Sequence, residues 1–198
     1  MAELIFHEDT HEYQVESEFI PSVSEILQDC GISDYSSVPD EILAKAAERG
    51  SHVHLATALY DYGKLDMSTV KLEWRDYVKA WVQFTNEYNP EWLVIEQPIY
   101  SKKYQFATTP DRIAYINGKL CDIEIKTTFK FMKSTAIQTA AHCICYNEDK
   151  KVADKIKKRY CVLLNKKGTY KFIEMNDKSD ERVFLGALTV FNWKKENK

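Results

Sequence analysis

An Asn-Gly pair at positions 117 and 118, set between two runs of β-prone residues, constrains the fold of this chain more than any other local feature. Such a pair is the strongest short signal for a β-hairpin, and a two-residue type I′ loop would pair Ile116 with Lys119. Counting back along both strands places Asp111 opposite Glu124, with their Cβ atoms about 4.5–5.5 Å apart. The sequence therefore predicts a hairpin whose open end carries two facing carboxylates.

Two facing carboxylates repel each other unless a positive charge lies between them, and a divalent cation is the natural occupant. The alternative is an ordinary solvent-facing strand pair, which would lose stability through this repulsion. Lys126 falls on the same strand face as Glu124 because side chains alternate along a strand. Two carboxylates and an amine at one point are the groups needed for metal-assisted phosphodiester hydrolysis, and Mg²⁺ prefers such oxygen ligands.

Composition limits the class of protein. The 198 residues are enough for one domain with a full core, and 44% hydrophobic with 29% charged residues is typical of a soluble globular protein. The chain contains no run of about 18 apolar residues, and its start lacks the basic-then-apolar pattern of a signal peptide. We therefore expect a cytoplasmic protein that does not associate with membranes. The five cysteines are scattered and mostly within apolar runs, which predicts reduced core thiols and no iron–sulfur cluster.

The net charge of −3 argues against a nucleic-acid protein, but the distribution of charge reverses that argument. Residues 1–48 hold twelve acids and one base, whereas residues 101–172 hold sixteen Lys and Arg against six acids. Phosphate binding needs a basic face and not a basic total. The alternative is a purely solvated charge pattern. The candidate DNA-contacting residues are Lys130, Lys133, Lys155, Lys157, Lys158 and Arg159.

The order of the predicted elements gives the fold class. A strand pair and helices occupy residues 1–90, a sheet core covers residues 91–175, and a C-terminal helix covers residues 180–195. Helices followed by a meander, a helix and further strands predict one α+β domain over residues 1–198, with a central mixed β-sheet flanked by helices. Three local predictions accompany this assignment: a Ser37–Asp40 capping box that begins a helix over 39–62, one helix over Ser68–Tyr88, and one strand over Leu93–Tyr100.

The hairpin residues also carry a family resemblance. Pro110-Asp111 followed by Glu124-Ile125-Lys126 resembles the PD-(D/E)XK nuclease signature. The segment from Arg49 to His54 resembles the Arg-Gly-x-x-x-His helix of the RecB-type exonuclease branch, and Gln138 falls where that branch has a Gln-x-x-x-Tyr helix.

The resemblance covers roughly residues 4–150, and the opening of the chain is similar to that of small single-domain members carried by bacteriophages. The chain departs from the RecB pattern at two positions. His142 stands where Tyr is usual, and Glu124 stands where Asp is more frequent.

The resemblance implies a restriction-endonuclease-like core that binds Mg²⁺ or Mn²⁺. The implied metal ligands are His54, Asp111, Glu124 and the backbone carbonyl of Ile125. The implied catalytic residues are Asp111, Glu124, Lys126 and Gln138, with Lys126 stabilising the transition state and Gln138 contacting DNA or positioning that lysine. Further candidates are Glu96, Arg49 and His142. From the residues alone, a single inward histidine such as His54 is more often a core group than a metal ligand. Glu96 could face water, and Gln138 and His142 could serve capping or packing.

The predicted function is therefore a metal-dependent deoxyribonuclease. We expect an exonuclease that acts on linear DNA ends in phage or bacterial recombination, repair or processing, encoded by a phage or prophage. A phage recombination protein is a further expected partner, and an oligomer is compatible with the sequence. One alternative is a structure- or sequence-specific endonuclease of the same fold. Another is a catalytically silent accessory protein that binds DNA or mimics it through the acidic first 48 residues.

Overall fold

The computed structural model describes residues 3–197, so Met1, Ala2 and Lys198 of the predicted domain 1–198 lie outside the described residues. The chain begins with a three-stranded antiparallel sheet, in which a third strand joins the predicted pair. Its strands are β1 (Leu4–His7), β2 (Glu12–Val15) and β3 (Glu18–Ile20). Helix α1 (Val23–Asp29) follows, and Ser22 and Glu25 form a capping box at its start.

Two longer helices follow, α2 (Asp40–Asp61) and α3 (Arg75–Tyr88). The predicted Ser37–Asp40 capping box is wrong, because Pro39 is the N-cap of α2 and has no side-chain acceptor for a cap hydrogen bond. The single predicted helix over Ser68–Tyr88 is also wrong. Two short 3-10 turns precede α3, and Val70 and Lys71 between them have extended backbones that interrupt the helix.

The main sheet has five strands, which lie in the order β10 (Tyr170–Met175), β9 (Lys158–Leu164), β8 (Lys119–Lys126), β7 (Arg112–Ile116) and β4 (Glu91–Ile95). Only β8 and β9 run parallel, and the other neighbours are antiparallel. A parallel pair needs a crossover connection, and α4 (Lys133–Asn147) provides it. The remaining elements are the small sheet of β5 (Ile99–Ser101) and β6 (Phe106–Thr108), and helix α5 (Ser179–Glu196).

The predicted hairpin is confirmed. Ile116 pairs with Lys119, and the register continues without a shift to Arg112 and Ile123. The loop residues Asn117 and Gly118 have φ angles of 49° and 72°, as a type I′ turn requires. One more step in the same register makes Asp111 the neighbour of Glu124.

The predicted strand Leu93–Tyr100 is wrong because the chain bends at Glu96, whose φ is 49°. A residue in this left-handed region cannot continue a strand. The segment therefore divides between β4 of the main sheet and β5 of the small sheet.

Helices cover both faces of the main sheet. On one face, α2 and α3 pack through Val53, Trp81 and Phe84 against Ile123 and Ile125. On the other face lies α4, which also packs with α1 and α5. Strand β8 is therefore buried from residue 120 to residue 125, and its acidic side chains lie in the interior. The predicted α+β domain with a mixed central sheet is confirmed. Within residues 3–197, none of the helices combines the length and apolar character that a membrane crossing requires.

Candidate active site

Three potential metal ligands converge where β4, β7 and the middle of α2 meet. The donor atoms of His54, Glu96 and Asp111 all lie within 4.8 Å of one another. His54 Nδ1 is 3.2 Å from Glu96 Oε1 and 3.3 Å from Asp111 Oδ1. His54 Nε2 is 3.2 Å from the carbonyl oxygen of Ile125, so that carbonyl also borders the group. This trio includes Glu96, which was a further candidate from the sequence, and does not include Glu124.

Backbone geometry fixes the two carboxylates. The N–H of Glu96 donates to the carbonyl of Asp111 at 3.1 Å, which links the end of β4 to the start of β7. Asp111 Oδ2 in turn accepts a hydrogen bond from the N–H of Ile125 at 2.6 Å, and the residue as a whole is only 6% exposed. Glu96 has a positive φ where the chain turns out of β4, a backbone conformation that is uncommon for a non-glycine residue.

His54 carries positive charge in this arrangement. Burial lowers the pKa of the imidazole, but the carboxylates of Asp111 and Glu96 outweigh burial and raise the pKa to about 10. Both ring nitrogens then donate, one to the carboxylates and the other to the carbonyl of Ile125. The imidazolium therefore balances two acidic groups that would otherwise repel each other.

A buried guanidinium supports the same carboxylates. Arg112 is fully buried, and its Nη1 donates to Glu96 Oε1 at 2.9 Å and to the Asp111 carbonyl at 2.6 Å. Its Nε donates to Asp61 Oδ2 at 2.6 Å, and Nη2 donates to Thr57 Oγ1 at 3.1 Å. Each of the three guanidinium nitrogens has at least one acceptor, and two of the acceptors are carboxylates, so the charge is tolerated in the interior.

The sequence interpretation missed Arg112, Asp61 and Thr57. A signal for them existed. Thr57 and Asp61 follow His54 at intervals of three and four, so all three lie on one helix face. Arg112 and Ala114 are two residues apart on β7, so their side chains point to the same buried face of the sheet.

The second group of polar residues lies on the α4 side of β8. Lys126 Nζ is 2.6 Å from Glu124 Oε1 and 3.3 Å from Gln138 Oε1. Burial lowers the pKa of Lys126, but Glu124 and Asp111 outweigh it and hold the pKa above its usual value, so the ammonium stays charged. The structure thus brings together Glu124, Lys126 and Gln138, which the sequence assigned to catalysis.

Asp122 and His142 form a fully buried pair beside Glu124. His142 Nδ1 is 3.2 Å from Asp122 Oδ2 and 3.9 Å from Glu124 Oε2. Burial raises the pKa of Asp122 to about 6, and His142 offsets part of this effect. His142 thus reaches the acidic end of β8 from the helix position where the related motif has Tyr. Among the described residues, Glu124 Oε2 and His142 Nε2 are buried without a hydrogen-bond partner.

A cleft of about 540 Å³ opens beside these groups, between α1, α2, the end of β8 and the start of α4. Arg49, His54, Lys126 and Lys130 are the charged residues that line it, and no carboxylate does. Arg49 Nε donates to Thr127 Oγ1 at 3.2 Å, which holds the arginine at the end of β8. The cleft is therefore cationic in a protein of negative net charge.

The other predicted DNA-contacting residues lie elsewhere. Lys158 pairs in register with Cys121, five residues before Lys126 along β8, which corresponds to about 17 Å. Lys155 and Lys157 precede it, so this basic segment lies at the opposite end of the strand from the cleft. Lys133 is exposed at the first residue of α4.

Arg159 needs a correction. The structure buries its side chain, which donates to Asp180 Oδ2 at 2.8 Å and to the backbone carbonyls of Ala136 and Asp177. The predicted DNA contact is therefore replaced by a structural role that joins β9 to α4 and α5. Lys158, too, is engaged by a carboxylate, that of Glu174.

Comparisons with known proteins do not name a family. No protein-family model and no curated protein matches the chain. Among solved structures, the chain is similar to the protein of the "Crystal structure of SSO0001", with 17% identity and a TM-score of 0.44 over 88% of this chain and 75% of that chain.

Proposed function

We propose that this protein is a divalent-metal-dependent deoxyribonuclease with a restriction-endonuclease-like core, acting as an exonuclease on DNA ends. The observation that carries the proposal is that two clusters of polar side chains lie at the same end of β8. The first is the His54, Glu96 and Asp111 cluster, and the second is the Lys126 ammonium against Glu124. The sequence resemblance to RecB-type nucleases supports the same reaction class.

The residues present suit a hard or borderline divalent cation. Two carboxylates, one imidazole and the nearby carbonyl of Ile125 form a mixed oxygen and nitrogen donor set, which is compatible with Mg²⁺ and Mn²⁺. The unpartnered, buried Glu124 Oε2 also fits, because a buried carboxylate oxygen without a donor is costly unless a cation satisfies it. His54, once its imidazolium has lost a proton, would hold the cation together with Glu96 and Asp111, and Glu124 would complete the site from the neighbouring strand position.

A bound divalent cation would supply a water of lowered pKa as nucleophile and would stabilise charge on the phosphate. Side chains of the protein stabilise the phosphate and position one another. Lys126 places an ammonium at the edge of the cleft, where it can donate to a phosphate oxygen as negative charge develops. Gln138 accepts a hydrogen bond from this ammonium and limits the directions in which it can point.

The test is a set of reactions with purified protein and Mg²⁺ or Mn²⁺. Linear DNA should be degraded, covalently closed circles should remain intact, and chelation should stop the reaction. Asp111→Asn should reduce the rate at least about a hundredfold, because the amide removes one charge from the metal site while it retains an oxygen for the Ile125 N–H. The matched control is Asp149→Asn, at an exposed position outside the site.

The outcomes separate the alternatives. Early cutting of closed circles would replace the exonuclease proposal by an endonuclease of the same site. Absence of cleavage on any single- or double-stranded substrate, with either metal, would favour a silent DNA-binding or DNA-mimicking protein, and salt-dependent DNA affinity would distinguish the binder from the mimic.

A further inference from the structure

One wall of the cationic cleft has no part in the reaction proposed above. It is the first turn of α4, which begins at Lys133 after Met132. Met132 contributes no side-chain cap, and the first turn carries no acidic residue. The first N–H groups of a helix lack intrahelical partners, and the positive end of the helix dipole favours an anion there.

Two hydroxyls of that turn, on residues that are otherwise buried, provide an independent observation. Ser134 and Thr135 line the cleft and are only 9% and 4% exposed. Within residues 3–197, neither hydroxyl forms a hydrogen bond, whereas the hydroxyl of Thr139, one turn later, donates to the carbonyl of Ala136. Neither hydroxyl oxygen is among the fully enclosed atoms, so both reach the cleft and can donate to a ligand that binds beside the uncapped helix end.

The charged residues that line the cleft determine the sign of the ligand's charge. Across the described residues, Arg49 and Lys130 form no ion pair, in contrast to Lys126, which is bound to Glu124. Arg49 uses its Nε for Thr127, which leaves its terminal amino groups available. Since no carboxylate lines the cleft, the ligand is an anion.

We propose that Ser134, Thr135, Arg49 and Lys130 bind a second phosphate group of the substrate strand, an inference that rests on the proposed nuclease function. Its neighbouring phosphate would lie at Lys126. Ser134 and Thr135 precede Gln138 by four and three residues, so all three share a helix face and span about 6 Å along it. Gln138 in turn touches Lys126, so the two phosphate positions are adjacent.

The size of the cleft defines the form of the substrate. A volume of about 540 Å³ suits a small-ligand site and is far too small for a duplex. The apolar side chains of Leu27, Leu43 and Met132 also line it and offer a surface for a base. The bound segment is therefore a short, unpaired stretch of one strand.

The test measures binding and not cleavage. A fluorescent single-stranded tetranucleotide carrying a 5′-phosphate, a 3′-phosphate or neither is titrated in Ca²⁺ while anisotropy is recorded. Arg49→Met should weaken binding about tenfold and lower the slope of log affinity against log salt by about 0.7, as expected for one lost phosphate contact with a single strand. A double Ser134→Ala, Thr135→Val variant should weaken binding about threefold without changing that slope, because the hydroxyls are neutral. The matched control is Lys45→Met, one turn before Arg49 on α2 and outside the cleft, which should bind like the natural chain.

The three oligonucleotides identify which phosphate is bound. A preference for one phosphorylated end that disappears in both variants assigns a terminal phosphate, and equal weakening of all three oligonucleotides assigns an internal one. Unchanged affinity in both variants, with melting temperatures preserved, overturns the inference even if the natural chain cleaves DNA. Weakened binding in a protein that cleaves no DNA supports the phosphate subsite and removes the nuclease proposal alone.

Discussion

The Arg112 guanidinium donates a 2.9 Å hydrogen bond to the carboxylate of Glu96, one of the three clustered metal-ligand candidates. The same nitrogen donates to the backbone carbonyl of Asp111, so a single buried cation fixes two of the three residues. Burial raises the pKa of Glu96, but the positive charges of His54 and Arg112 outweigh burial and hold the pKa below its usual value. Glu96 is thereby held as a carboxylate, which is the form that binds metal.

Arg112→Met should destabilise the fold by about 3–5 kcal/mol. The substitution removes one partner of a buried ion pair and leaves the Asp61 carboxylate without its cation. The free energy of unfolding from urea titration measures the loss.

A second variant separates the charge from the packing. Adding Asp61→Asn to Arg112→Met should recover part of the lost stability, since the orphaned charge is then gone. If Arg112→Met alone unfolds at the urea concentration of the natural chain, the buried network contributes no stability.

Addition of Mg²⁺ or Mn²⁺ should raise the melting temperature. A ligand that binds only the folded state stabilises it by about 2.7 kcal/mol at a concentration one hundred times its Kd. Asp111→Asn should abolish most of this shift, while Asp149→Asn should keep it. An equal shift in Asp111→Asn would place the cation away from the His54 cluster.

Local chemistry was sufficient to predict the hairpin and its consequences. Asn117 and Gly118 both adopt positive φ, and this turn alone determines the register that brings Asp111 beside Glu124. The turn at Glu96 could not be predicted in the same way. Its positive φ is held by long-range bonds to Asp111 and Arg112, and no local sequence signal encodes them.

The basic residues show the same limit. Local charge counting identified Lys130 and Arg159 together, but only the fold places the first in the cleft and buries the second against Asp180. The parallel pairing of β8 and β9 places these two residues far apart in the fold. Parallel neighbours are connected by a long crossover, so their pairing cannot be predicted from local sequence. The charge pattern therefore identified the basic residues but not which of them face the cleft.

Lys126→Gln should reduce cleavage roughly a hundredfold or more while metal binding persists, since it removes one contact to developing charge. Single-turnover rates and the metal-induced melting shift measure the two effects separately. Lys119→Met, at the exposed far end of the same strand, is the control. Loss of the metal shift in Lys126→Gln would show that the lysine organises the ligands instead.

Arg159 and Lys157 should respond in opposite ways. Arg159→Met should destabilise the fold by about 3 kcal/mol, because it leaves the buried Asp180 carboxylate unpaired, with no change in the salt dependence of DNA binding. Lys157→Met, at an exposed position two residues away, should leave stability within about 0.5 kcal/mol. If bound DNA extends from the cleft to this end of β8, Lys157→Met should also lower the salt slope by about 0.7 for a single strand or 0.9 for a duplex. Urea titration and salt-dependent anisotropy measure the two properties. A reduced salt slope in a stably folded Arg159→Met protein would restore the DNA-binding role that the sequence predicted.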